Sequence, residues 1–236
     1  MGWACAMPSS KMLFRLIVQS SLWIVLMAAI LFGAAGSWRW PQGWAFLAIF
    51  VAGSILFCAW LWRRDPALLA ARMSPVVQKG QARWDQVFMI CAVAAWNAWL
   101  AFMAADAERW KLSHMPAWLN AAGGVLIVAG FGATVPVFAA NSFASPVVRV
   151  QEERGQRLID TGPYAVVRHP MYAAALLYLL GLPLLLGSWW GLAVLPFLVA
   201  GLAPRALREE ALLKRELPGY AAYMERVRWR LVPHIW

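Results

Sequence analysis

Charge is scarce in this chain, and acidic charge is scarcest: 21 Lys and Arg stand against 11 Asp and Glu in 236 residues. Soluble domains carry about 25% charged residues; here the fraction is 14%. Cysteine is nearly absent. Cys5, Cys58 and Cys91 have neither disulfide nor metal spacing, so neither a disulfide framework nor a zinc module is expected. His114, His169 and His234 lie far apart, and no metal is expected. No basic run is interleaved with aromatics, so the net charge of +10 does not read as nucleic-acid binding. A nucleotide-binding glycine fingerprint is also missing. Gly123-Gly124 and Gly130-x-Gly132 sit inside an apolar stretch with no strand before them, which reads as close helix packing.

What the chain has is apolar length. Hydrophobic residues make up 62%, in runs that suit lipid better than a soluble core. Many of the 16 tryptophans, Trp38, Trp40, Trp44, Trp62, Trp84 and Trp118 among them, fall near the ends of those runs, where indole prefers the headgroup layer. Four stretches qualify as full spans: 12–36, 42–62, 84–105 and 117–140. A fifth apolar region, 171–204, is too long for one span and carries Pro183, Gly187 and Pro196. It reads as a tight hairpin of two short spans turning at 187–191. Lys11 and Arg15 before an apolar run ending in Ala34-Ala35-Gly36-Ser37 resemble a signal peptide, but the run is long and reads as the first span. Gly2 is no myristoylation site, since position 6 is Ala6.

Counting charge across these spans gives an orientation. With the N-terminus inside, eighteen basic residues fall on the inner side, and only Arg39, Arg109 and Lys111 fall outside. That split requires 171–204 to cross and return, which puts both termini in the cytoplasm of a multi-pass inner-membrane protein. The expected fold is an all-α polytopic bundle: spans in 1–140, then a polar loop, hairpin and tail in 141–236. The tail, 205–231, has helical periodicity broken at Pro218-Gly219 into two amphipathic helices. Such helices also serve simply to lie on headgroups.

The chemistry concentrates in that last third. The segment 141–172 is the longest charged stretch between apolar runs, and Pro170 suits the first turn of a helix. Arg168 and His169 then stand at a positive helix end, a corner that favours an anion. An interfacial Arg-His pair is also a common headgroup anchor. Glu209 and Glu210 follow Arg205 and Arg208 where the hairpin leaves the membrane, and carboxylates so near lipid are exposed, paired or used. One hairpin would bring both groups to the same membrane face, where they could hold a zwitterion such as an amino-acid moiety.

The ordered set GPY-x3-RHP-x-Y (Gly162 to Tyr172), hydrophobic hairpin, R-x3-EE (Arg205 to Glu210) and PGY-x2-Y-x3-V (Pro218 to Val227) resembles the isoprenylcysteine carboxyl methyltransferase family and its bacterial relatives. The resemblance covers about 120–236. RRDPALLAARM (Arg63 to Met73), Gln78-Lys79-Gly80 and Trp84-Asp85 extend it more loosely. It implies an integral membrane methyltransferase that takes S-adenosylmethionine from the cytosol and a lipophilic substrate from the bilayer. Tyr164, Arg168, His169, Pro170 and Tyr172 would line the cofactor pocket. Glu209 and Glu210 would bind or close it, and Tyr220 and Tyr223 would belong to a lid. Arg168 or Arg205 would orient the acceptor or the cofactor carboxylate.

A carboxylate acceptor, such as a prenylated cysteine or analogue, needs no general base. A phospholipid amine or a thiol would need one, and His169 or a glutamate would be the candidate. A small transporter fits poorly, because the first two spans have no charged residue at mid-depth and the third has only Asn97. A non-catalytic scaffold would be marked by loss of RHP or of the paired glutamates, and both are present.

Overall fold

Apolar segments this long can bury only a stripe of each helix against neighbours, and the remaining faces must meet lipid. In the computed structural model, which describes residues 10–236, five helices are long and apolar enough to span a membrane. Cys5, Gly2 and Ala6 lie outside the described residues. The helices are α1 (Ser10–Ala35), α2 (Pro41–Arg64), α4 (Arg83–Ala104), α5 (Ala117–Ala140) and α7 (Trp189–Glu216). A sixth apolar helix, α6 (Pro170–Leu186), packs along α5. At about 1.5 Å per residue, 24 residues reach roughly 36 Å, which exceeds the hydrocarbon thickness. Phe14, Leu56, Val125 and Phe197 point outward from the bundle, as a lipid-facing surface requires. The chain is a polytopic helical membrane bundle.

The two ends of the bundle are tied differently. At one end, Arg15 donates to the Met73 carbonyl (2.9 Å), and short helix α3 (Pro66–Arg72) lies against the loop after α5 through Arg72 and Ala144 (3.0 Å). At the other, α4 runs into a π-helical turn, Ala105–Arg109, that turns Asp106 inward. Asp106 accepts from Ser113 (2.7 Å) and Ser188 (2.5 Å), and Ser188 also caps α7 at the Gly191 N–H (2.8 Å). This network fixes the α6–α7 turn to the end of α4.

The hairpin differs in proportion from the two short spans expected. The turn occupies only Gly187 and Ser188, with Gly187 in the left-handed region at φ 82°. Pro183 stays inside α6, and Pro196 and Pro204 stay inside α7. In lipid, breaking a helix exposes further unpaired backbone groups, so the ladder continues around each proline. α7 therefore runs on to Glu216 and absorbs the first of the two expected tail helices. Only α8 (Tyr220–Arg226) is separate, after Gly219.

At the α5–α6 seam two helix backbones approach closely. A Cβ on Gly123 would meet the Leu185 backbone nitrogen at 2.3 Å and the Gly181 carbonyl oxygen at 2.6 Å. Gly130, two turns on, lies against Tyr178 in the same way, whereas Gly132 faces open space. Gly123→Ala is expected to cost about 1–3 kcal/mol, because the obstruction is backbone and cannot rotate away. Thermal unfolding of the detergent-solubilised protein measures it, with Gly132→Ala as the near-neutral control.

Candidate active site

Three segments converge where α6 begins and α7 emerges from the apolar bundle. The C-terminal tail returns in extended form beside the start of α6. The Arg168 and His169 N–H groups donate to the carbonyls of Trp229 (2.9 Å) and Arg230 (2.8 Å). Pro170 then opens α6, needing no hydrogen bond. One turn in, the Tyr172 ring stacks on His169, with centroids 5.2 Å apart and planes within 6°.

Glu210 comes from α7 into this corner. It is buried and takes three partners: Arg168 Nε at 2.8 Å, Arg230 Nε at 3.1 Å and His169 Nε2 at 3.2 Å. The expected anion corner is thus occupied by the protein's own carboxylate. Its backbone donors are spent on the tail, and Arg168 Nη1 also donates to the Val227 carbonyl (3.0 Å). Glu209, one residue earlier, points about 100° away around the helix. It accepts from the Tyr172 hydroxyl (2.6 Å), lies 3.9 Å from His169 Nδ1, and keeps part of its surface open.

Arg205, one turn before, is also fully engaged. It pairs with Asp85 of α4 (3.0 Å), donates to the Pro146 carbonyl (2.7 Å) and donates to the Tyr172 hydroxyl. Asp85 is completely buried, accepting as well from the Gln81 side chain and the Val148 N–H, both at 2.8 Å. One carboxylate therefore holds α4, α7 and the 141–159 loop together. Asp85→Asn replaces half of its acceptors by a donor and leaves Arg205 buried without its counter-charge. It is expected to cost about 1.5–3 kcal/mol, read as a lower unfolding temperature.

A cleft opens between the 141–159 loop, the start of α6 and the tail. Tyr164, Arg168, His169 and Pro170 line it, as do Tyr172 and Glu209. Tyr220 and Tyr223 line it from α8, the Tyr223 hydroxyl donating to the Tyr164 carbonyl (2.8 Å). Asn141 donates to the Tyr164 hydroxyl (2.9 Å), and burial pushes that phenol up to about 12, so it stays protonated. Glu210 and Arg205 do not line the cleft: Glu210 sits behind Arg168, and Arg205 sits behind Tyr172.

Two charged residues of the cleft were not singled out from the sequence. Arg149 pairs through Nη2 with Glu153 (2.6 Å), while its Nε is buried without a partner among the described residues. Arg157 is exposed at the rim. Both belong to the charged stretch 141–172, but nothing in the local pattern separates them from solvated loop charges.

Behind the cleft lies a second, apolar cavity of about 690 Å³ within the bundle. Trp23, Phe57, Phe131, Phe138 and Tyr178 form much of its wall. Its volume falls in the range of about 300–1,000 Å³ typical of small-molecule sites. Met171 and Tyr172 belong to both spaces, so two residues of α6 form the partition between them.

Comparison with known proteins bears on this end of the chain. Residues 118–218 match the family model described as phospholipid methyltransferase, and no curated protein matches the chain. The matched stretch runs from α5 through α6 and α7, taking in Tyr164, the Arg168-His169 corner and both glutamates. Residues 118–218 are thus similar to the phospholipid methyltransferase family, the family that includes the isoprenylcysteine carboxyl methyltransferase-like integral membrane methyltransferases.

Proposed function

We propose that the protein transfers a methyl group from S-adenosylmethionine, bound in the polar cleft, to a lipophilic acceptor held in the apolar cavity. The observation that carries this reading is the shared wall: a charged, tyrosine-rich cleft and an intramembrane cavity meet at Met171 and Tyr172. A water-soluble donor and a lipid acceptor need such a junction.

The cleft's side chains suit this cofactor chemically. Glu209 offers a carboxylate to an ammonium or sulfonium group, Arg149 has an unused buried Nε for a carboxylate, and Tyr164, Tyr220 and Tyr223 offer ring faces to a base. The cofactor supplies an electrophilic methyl group on a positively charged sulfur. The protein's task is then alignment and exclusion of water. Tyr172, held by Glu209 and Arg205, keeps the partition fixed. Glu210 sets Arg168 and His169 from behind and touches no ligand. A carboxylate acceptor is already ionised, and His169 then needs to move no proton.

In the closed arrangement the cleft encloses about 100 Å³, too little for a nucleoside. Tyr220 and Tyr223 of α8 line it, so in this reading admission lifts α8 and breaks the Tyr223–Tyr164 bond. The basic end of the bundle, cleft included, faces the cytoplasm in this reading, with both termini on the cytoplasmic side of the inner membrane. Calorimetric titration of the detergent-solubilised protein with S-adenosylmethionine tests the reading. Saturable one-to-one binding is expected; no heat at millimolar cofactor would overturn it.

A further inference from the structure

Among the described residues the apolar cavity carries one charged side chain, which the proposed transfer leaves without a role. Arg72, the last residue of α3, lines the cavity at its cleft end. Its Nη1 donates to the Ala144 carbonyl (3.0 Å) and approaches Met171 Sδ (3.8 Å), and its guanidinium lies over the Phe138 ring at 4.5 Å. Ala144 and Met171 both line the polar cleft, so Arg72 stands beside the partition on the lipid side. Among the described residues no carboxylate pairs with it, and neither Nε nor Nη2 has a hydrogen-bond partner. Burial draws its pKa down to about 10, still far above neutral, so the cation persists.

An unpaired guanidinium at the end of an apolar cavity is costly unless an anion completes it. The other polar residues of that wall, such as Gln19, Ser54 and Thr134, are neutral, and no acidic side chain lines it. The fork geometry of arginine matches two oxygens of a carboxylate or phosphate. We propose that Arg72 is the specificity-determining residue of the acceptor site, pairing with an oxyanion next to the acceptor's hydrocarbon chain. This rests on the apolar cavity being the acceptor site. The oxyanion is either the carboxylate that receives the methyl group or the phosphodiester of a phospholipid whose amine receives it. Arg72 selects against neutral and purely cationic amphiphiles in both cases.

Binding of amphiphiles with one common chain and different heads tests this without any methyl transfer. Palmitate, methyl hexadecyl phosphate (a phosphodiester), hexadecanol and hexadecyltrimethylammonium are titrated into detergent-solubilised protein, following tryptophan fluorescence. Wild-type protein is expected to bind one or both anions at least about tenfold more tightly than the alcohol, and the ammonium most weakly. A preference for palmitate alone identifies a carboxylate site, and one for the phosphate identifies a phosphodiester site. Arg72→Gln should lose the preference while keeping affinity for the alcohol, and Arg72→Lys should keep most of it. Equal binding of alcohol and anions by wild type, or an anion preference surviving in Arg72→Gln, overturns the proposal. Should Arg72→Gln not fold, palmitate carrying a diazirine beside its carboxylate replaces it. Labelling of Phe138, Ala144 or Met171 is expected, and labelling confined elsewhere overturns the assignment. The cofactor titration is independent of these results, so failure of one is distinguishable from failure of the other.

Discussion

Glu210→Ala is expected to destabilise the folded protein by about 3–5 kcal/mol, the cost of leaving a buried ion cluster without its anion. Arg168, His169 and Arg230 all converge on that carboxylate, and the first two are themselves buried. Removing it leaves like charges facing one another where the tail crosses the start of α6. Loss of cofactor binding in this variant would follow from disorder of the corner and would not mark Glu210 as a ligand. Glu210→Gln, which keeps the shape and one acceptor oxygen, should be intermediate. Thermal unfolding of the detergent-solubilised variants, compared with wild type, measures both.

The neighbouring residue should behave in the opposite way. Glu209→Gln is expected to leave the unfolding temperature close to that of wild type and to weaken S-adenosylmethionine binding by about ten- to a hundredfold. That factor corresponds to losing a charged hydrogen bond of about 1.5–3 kcal/mol. The amide can still accept from the Tyr172 hydroxyl, so the partition keeps its geometry. Calorimetric titration and a thermal melt on the same preparation separate the two effects. Equal damage to stability from both substitutions would contradict the division of labour between these glutamates.

Hydrophobic length, with positive charge between the runs, gives an all-α membrane bundle, because in lipid the backbone must pair with itself. The Arg168-His169 and Glu209-Glu210 pairs stood out because charge so close to an apolar run is expensive. Which glutamate faces the cleft was not legible. Two adjacent helical residues differ by about 100° in direction, and the choice depends on how α7 is rotated against the tail. Arg205 illustrates the same limit. Arg205, or Arg168, was expected to orient the acceptor or the cofactor carboxylate; Arg205 pairs with Asp85, 120 residues away in sequence, which no local pattern announces.

The proportions of the hairpin were not legible for a related reason. Pro183 and Pro196 looked like interruptions, but a proline in lipid costs less than an opened helix, and α6 and α7 continue through them. The length of α7 is what carries Glu209 and Glu210 out to the level of Arg168. Arg72 was visible only as part of a motif, and its position on the cavity wall required the fold.

The central claim is that a methyl group passes from a water-soluble donor to a molecule dissolved in the bilayer. Incubating the purified protein with methyl-radiolabelled S-adenosylmethionine and a membrane lipid extract, then partitioning between water and organic solvent, tests it most directly. Label is predicted to enter the organic phase with wild-type protein and to fall by at least about tenfold with Glu209→Gln. Label that stays in the aqueous phase, under conditions where the cofactor is shown to bind, would contradict the account.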